Sequence, residues 1–282
     1  IANNYDYQEL LSELLGELNA SHTGGRYSPQ AQNPDATAVL GLLYDETSTG
    51  DGLKVTEVIE GGPLDKSTSK LRAGMVIEKI DGEAISDKND WAALLNRKEG
   101  RNTLLHVYDP STGKRWEETV KPISFNDEAS LMYTRWVKKM DEMVNKLSGG
   151  KVGYVHVRGM NDPSFRATFD KVLGKNINKK ALIVDTRFNG GGDLVADLAM
   201  FFTGEKFLTY ATEDREVGFE PTARWTKPTL AMFNEANYSD GHCFACGYTD
   251  LGIGKTVGMP VPGTCSFAGW EGLPDGTRWG AV

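Results

Sequence analysis

Three short segments of this 282-residue chain carry residue types that could attack a carbonyl group. In the run Lys227–Gly241 an apolar, strand-like stretch gives way at Ser239 to what reads as the first turn of a helix. A serine at such a junction is lifted off the strand edge, beside amides that have no intrahelical acceptor. Those amides favour negative charge, which is what attack on a peptide carbonyl produces. The second segment, Asn19–Gly25, reads Asn-Ala-Ser-His-Thr-Gly-Gly and offers an imidazole. The third, Asp185–Gly192, ends in Asn189-Gly190-Gly191-Gly192, a turn with no side chains to block a ligand backbone. Together they supply a nucleophile, a base and a Gly-rich turn.

Serine is a weak nucleophile until a neighbouring base accepts its proton, and histidine titrates in the useful range. Of the four histidines, His106 and His156 fall in strand-like runs and read as structural. His242 lies three residues after Ser239, where its ring would run along the helix rather than over the serine. His22, in a polar loop, is therefore the expected base. One donor from the Gly190–Gly192 turn plus the Asp240 amide would make a two-amide oxyanion hole. The same turn could cradle phosphate, but neither a Gly-Lys-Ser/Thr loop nor a GxGxxG pattern accompanies it. No cofactor and no metal is implied.

The three cysteines are too few for a disulfide framework. Cys243-Phe244-Ala245-Cys246, with His242 adjacent and Cys265 downstream, has the spacing of a redox or half-zinc motif. A zinc site would show a second ligand pair, so the expectation is two cysteines one turn apart on the Ser239 helix, facing the core. Gly247 after Cys246 excludes a c-type haem attachment.

The elements that must position these residues can be read from periodicity. Asp6 and Glu9 have capping-box spacing, and Leu10, Leu11, Leu14, Leu15 and Leu18 form an apolar stripe. The helix they predict ends at Gly24-Gly25, which leaves His22 just past a helix end. From Ala36 to Ser124 the pattern is short and β-like: 39–44, 53–59, 75–80, 103–108 and 115–120, interrupted by a helical stretch over Lys88–Leu95. From Asp127 onward helices (127–147, 163–173, 193–202) alternate with strands (151–157, 180–186, 229–233). The expected fold class is α/β, α+β overall: a mainly parallel sheet with helices on its faces, an inserted β domain and an N-terminal helical segment. The divisions fall at 1–35, 36–124 and 125–282. Both the Asp185–Gly192 turn and Ser239 then lie at carboxyl ends of strands, on one rim.

Hydrophobic residues make up 39% and charged residues 25%, as in ordinary globular proteins. A net charge of -8 argues against a general nucleic-acid binder. No apolar run approaches the roughly 20 residues needed to cross a bilayer. The chain opens on Ile1 and stops at Val282, which reads as a piece of a longer protein. Membrane association is expected only through a segment outside it.

Residues 36–124 resemble a PDZ domain in the order Val55-Thr-Glu-Val-Ile-Glu-Gly-Gly-Pro-Leu-Asp-Lys66 and then Leu71-Arg-Ala-Gly-Met-Val-Ile-Glu-Lys-Ile-Asp-Gly82. The resemblance implies that Leu40, Gly41, Leu42 and Leu43 form a loop whose free amides receive a terminal carboxylate. Taken together, Ser21-His22, the PDZ-like insert, Asp185-x-Arg-x-Asn-Gly-Gly-Gly and Tyr238-Ser-Asp-Gly resemble the core of tricorn proteases, in the tail-specific (C-terminal processing) peptidase superfamily. This implies Ser239 as nucleophile, His22 as base and Ser21 as a hydrogen-bonding member of the site. It also implies an oxyanion hole from a glycine of the run (Gly190 or Gly191) with the Asp240 amide. The substrates implied are unfolded or tail-exposed proteins and peptides, the location is the cell envelope, and a homo-oligomer is compatible. A second branch of that superfamily uses a lysine where Thr264 stands here; Lys255 lies earlier, and the histidine branch fits better. Tricorn-like sites also use a glutamate, and Glu271 falls too early to take that role. The rival readings are a non-catalytic PDZ-type scaffold and a thiol or zinc role for Cys243 and Cys246.

Overall fold

Asn3, with extended backbone, caps the first helix: its side chain accepts the Tyr5 and Asp6 amides at 2.8 and 3.0 Å. Helix α1 (Asn4–Gly16) therefore starts there rather than at an Asp6/Glu9 box. It also stops before Gly24-Gly25, because that pair opens strand β1 (Gly24–Arg26). Ser12 Oγ clips the two elements together, accepting the Gly25 amide and donating to the Gly25 carbonyl. The computed structural model describes residues 1–29, 32–86, 88–267 and 269–281.

The alternating runs become β2 (Leu42–Tyr44), β3 (Leu53–Val58), β4 (Val76–Ile80), β5 (Glu83–Ala84), β6 (Thr103–Asp109) and β7 (Lys114–Val120). Where a helix over Lys88–Leu95 is expected, only a 3-10 turn forms, at Trp91–Leu95, capped by Asp90. Helix α2 (Phe125–Leu147) follows, with Ser124 and Asp127 bonded reciprocally at its start. The α/β segment contains β8 (Val152–His156), α3 (Asp162–Asp170), β9 (Ala181–Asp185) and α4 (Val195–Phe202). A hairpin that periodicity does not announce comes next, β10 (Leu208–Ala211) with β11 (Glu216–Glu220). Then come β12 (Thr229–Phe233), α5 (Asp240–Asp250), β13 (Lys255–Gly258), β14 (Gly269–Gly272) and β15 (Arg278–Ala281).

The chain forms two compact units, Ile1–Gln30 with Met140–Val282, and Ala31–Lys139, the division falling within α2. In the first, β13, β12, β9 and β8 make a wholly parallel sheet in that order. Apolar side chains of the sheet (Val155, Val184, Ala231) and of the helices (Leu198, Phe201, Phe244) join one buried core. That burial is the main stabilising term, at about 25 cal/mol per Å² of apolar surface removed from water. A second, antiparallel sheet, β1-β15-β14, ties the N-terminal segment to the C-terminal one through Gly24↔Gly280 and Arg26↔Arg278. This pairing, two residues past His22, fixes where the histidine loop sits.

The second unit is an antiparallel sheet in the order β2-β3-β4-β6-β7, with β5 on β4. Its core takes every second residue of β6 (Thr103, Leu105, Val107), as strand geometry requires. The Leu40–Leu43 loop departs from expectation here. Leu40, Gly41 and Leu42 are buried, and Leu43 is half-buried. The Gly41 amide donates to Glu128 Oε1 at 3.1 Å, and the Leu42 amide bonds the same carboxylate. The loop amides expected to be free are thus already used, by a side chain from the first turn of α2. Gly41 sits at φ +68°, and a Cβ there would come within 2.8 Å of Pro63 Cδ, so the loop requires glycine.

Candidate active site

The carboxyl ends of β8, β9 and β12 form one rim, and a buried amide network holds their loops in register. Asn189, fully buried, donates from Nδ2 to the Val157 carbonyl, and its own carbonyl accepts the Tyr238 amide. Asn237, equally buried, donates to the Thr186 carbonyl and hydroxyl and accepts the Asn234 amide. Asn234 in turn accepts the Phe188 amide. Each side-chain amide satisfies backbone groups that would otherwise be stranded away from water. Asp185 works the same way: it is fully buried and receives Tyr154 Oη at 2.8 Å, Arg187 Nη2 at 2.6 Å and the Arg187 amide at 3.0 Å. Burial, with the Asp185 charge next, pushes the Tyr154 phenol far up, so it stays a donor. His156 bonds the Arg187 carbonyl through Nε2, and burial lowers its pKa. The Asp185-x-Arg187 pattern is therefore scaffolding.

Ser239 lies six positions after the end of β12 and immediately precedes α5, at φ 52° and ψ −125°. A non-glycine residue there costs about 1–3 kcal/mol, a strain associated with functional turns. Three contacts hold it: its amide donates to Thr264 Oγ1 at 3.1 Å, its carbonyl accepts the His242 amide, and Gly191 lies against it. A Cβ on Gly191 would stand 2.6 Å from Ser239 Cβ, so only glycine allows this approach.

The Gly190–Gly192 turn divides its labour. The Gly191 amide, an expected oxyanion donor, is occupied by Asn189 Oδ1 at 2.9 Å, and the Gly191 carbonyl accepts Met160. Gly190 does not line the cavity beside Ser239, whereas Gly192 does, together with His22, Asp240, Cys243, Ser266 and Phe267. That cavity measures about 190 Å³. Among the described residues, the amides of Gly192 and Asp240 meet no protein acceptor. The donor expected from the turn is thus better placed at Gly192. The Asp240 carboxylate faces the other way and receives the Leu194 amide at 2.7 Å, capping the start of α4; burial raises its pKa.

His22 sits at φ 67° in its loop. Its amide donates to Tyr238 Oη at 2.9 Å, and its ring lies 4.6 Å from the Tyr238 ring. Its Nδ1 is met by Ser21 Oγ at 2.9 Å and by Ser266 Oγ at 3.2 Å, which leaves Nε2 as the nitrogen without a protein partner among the described residues. The structure brings His22 and Ser239 to the same cavity, with no direct hydrogen bond between them among the described residues. Catalytic bonds are often looser without substrate.

The remaining candidates separate clearly. Lys255 opens β13, paired in parallel with Leu230 at the start of β12, so it lies at the sheet end away from Ser239. Glu271 is exposed on β14, opposite Trp279. His242 Nδ1 accepts the amides of Thr264 and Cys265 at 2.9 and 2.8 Å, and its Nε2 meets Cys246 Sγ. His106 pairs with Glu117 at 3.4 Å. The cysteine expectation is corrected: Cys243 is joined to Cys265 by a disulfide, and Cys246 is free and exposed rather than facing the core. Pairing depends on backbone proximity, here a Cα–Cα distance of 5.0 Å, and not on the CxxC spacing. Sequence reasoning also missed Ser266, Tyr238 as a ring partner, and the support role of Thr264.

Residues 151–279 match the model of Peptidase family S41. The chain is 28% identical over 278 residues to "Tricorn protease homolog 1" of Streptomyces coelicolor, across 92% of this chain and 25% of the relative. It is 27% identical over 277 residues to "Tricorn protease homolog" of Saccharolobus solfataricus, across 92% and 24%. It also aligns with the crystal structure of the tricorn protease at a TM-score of 0.82 and 22% identity, over 99% of this chain and 28% of that one. The chain spans about a quarter of the length of these curated relatives. Residues 151–279 thus match Peptidase family S41, and the chain is similar to tricorn proteases along nearly its whole length.

Proposed function

We propose that this chain is a serine peptidase acting on unfolded or tail-exposed proteins and peptides through an acyl-enzyme. The observation that carries the reading is one cavity lined by Ser239 in a strained turn, His22, and the residues Gly192 and Asp240, whose amides have no protein acceptor among the described residues. In this reading His22 Nε2 accepts the Ser239 proton as Oγ bonds to the scissile carbonyl carbon. The carbonyl oxygen becomes an oxyanion held by the Gly192 and Asp240 amides. The C–N bond breaks, His22 returns its proton to the leaving amine, and water then releases the acyl group by the same base. The S41 match and the tricorn-like sequence support a serine-type protease. The Cys243–Cys265 disulfide supports an oxidising compartment such as the cell envelope.

Labelling of the full-length protein with a fluorophosphonate tests the proposal. Mass increase on the peptide containing Ser239, lost in Ser239→Ala, is the expected result. Absence of labelling, with a known serine peptidase reacting in parallel, overturns it. Sequencing the new termini in a digested unfolded protein separates internal cleavage from trimming at the carboxyl end.

A further inference from the structure

We propose that Ser266 is a positioning residue for the base: with Ser21 it orients the His22 ring and supports the imidazolium formed when His22 takes a proton. The inference rests on the peptidase reading for its catalytic consequence, but the geometry stands apart from it. Three heteroatoms form a closed triangle. Ser21 Oγ lies 2.9 Å from His22 Nδ1, Ser266 Oγ lies 3.2 Å from the same nitrogen, and the two hydroxyls lie 2.5 Å apart. Serine peptidases need a partner on Nδ1 because the ring must present Nε2 to the nucleophile and carry positive charge transiently. The Ser21 and Ser266 hydroxyls both meet that nitrogen.

The proton accounting is consistent. With Nε2 free to accept, Nδ1 carries its proton and donates to a hydroxyl oxygen, and one hydroxyl donates a hydrogen bond to the other. When Nε2 gains the Ser239 proton, the Nδ1–H still faces two oxygen lone pairs, and hydrogen bonds strengthen when the donor is charged. No bond other than the transferred O–H and N–H changes.

The chain around Ser266 is fixed as a positioning role requires. Thr264 Oγ1 accepts the Ser239 amide, so the strap is bonded to the nucleophile's own backbone. Cys265 is covalently tied to Cys243 in the first turn of α5. His242 Nδ1 accepts the amides of both Thr264 and Cys265. Residues 264–266 thus span from nucleophile to base and are pinned at α5. A hydroxyl pinned in this way loses little freedom on making its bond, which is what makes the bond worth having.

The test compares Ser266→Ala and Ser266→Thr with the parent chain. Intact protein mass confirms the Cys243–Cys265 disulfide in each. Two readouts are used: the fluorophosphonate labelling rate with hydrolysis of a fluorogenic peptide panel, and 15N chemical shifts of His22 in histidine-labelled protein. Ser266→Ala should slow labelling and kcat by about 10- to 100-fold, the equivalent of one lost hydrogen bond to a charged group. KM should stay within about twofold. The Nδ1 resonance should move, and Ser266→Thr should restore both rate and resonance. Should the parent protein neither label nor hydrolyse, the peptidase reading fails, while the Nδ1 resonance still decides the positioning claim. An unmoved Nδ1 resonance in Ser266→Ala overturns it, as does an unchanged labelling rate in an otherwise reactive protein. If Ser266→Ala loses its fold, a Ser266→Thr protein whose Nδ1 resonance departs from the parent's overturns the proposal too.

Discussion

Two clusters of backbone amides in this molecule begin from similar local chemistry and end in opposite states. At Gly192 and Asp240 the amides meet no protein acceptor among the described residues and border a cavity shared by Ser239 and His22. At Gly41 and Leu42 the amides are bonded to the Glu128 carboxylate. Both turns depend on a glycine at positive φ, +143° at Gly192 and +68° at Gly41. The difference lies in what the rest of the fold brings near. The buried asparagines of the first cluster satisfy its neighbours and leave the Gly192 and Asp240 donors facing the cavity. In the second, α2 carries an acidic residue in its first turn straight onto the loop. Gly192 is exposed and Asp240 half-buried, so water can serve these two donors until a ligand oxygen beside the strained serine takes its place. A fold that fills them has already used the ligand chemistry internally.

The contrast can be broken most sharply at the first cluster. Ser239→Ala should lower peptide hydrolysis by about 10⁴-fold or more, read as kcat on a fluorogenic peptide with the fold verified by circular dichroism. Gly192→Ala is next. Its Cβ would sit 1.9 Å from the Met160 carbonyl oxygen, so the turn must shift and displace the amide. A loss of about 10²–10³ in kcat is expected, with little change in KM.

The second cluster should respond in the opposite sense. Glu128→Ala releases the Gly41 and Leu42 amides and should tighten binding of a fluorescein-labelled peptide with a free C-terminal carboxylate about tenfold in fluorescence polarisation. The same peptide with an amidated end should gain nothing. If the acid and the amide respond alike, the loop is not a carboxylate site and the comparison collapses to packing.

The smallest effect concerns pH. Burial, opposed by the Gly41 and Leu42 amides, raises the Glu128 pKa above its ordinary value. A raised folded-state pKa means that the native state holds the proton more tightly than the unfolded chain. The stabilisation from Glu128 is therefore complete below the ordinary glutamate value and lost as pH rises through the raised one. Urea midpoints measured from pH 4 to 7 should show this slope in the parent chain and a flatter one in Glu128→Gln.

Much of the unit that holds the candidate site was legible because its information is local. Strand-helix alternation after residue 150 announced the parallel sheet, and Ser239 at the end of an apolar run announced its junction. His22 stood out through its polar loop, since a histidine buried in a strand reads differently. The failures share one cause. The end of α1, the β1–β15 pairing, the Cys243–Cys265 disulfide and the Ser266–His22 contact all join residues from 22 to more than 240 positions apart, or follow from such a pairing. No periodicity or cap signal records them. The Leu40–Leu43 loop misled for the same reason, as its own residues say nothing of Glu128 arriving from a helix 87 positions on.

By itself, then, the order of residues singled out candidate side chains and the kind of element on which each would stand, because hydrophobic period and turn chemistry act over a few residues. Tertiary structure alone decided which amides remain without an acceptor, which glycine faces the cavity, and which hydroxyl meets the imidazole. Those outcomes depend on where distant backbone groups meet, and only packing brings such groups together.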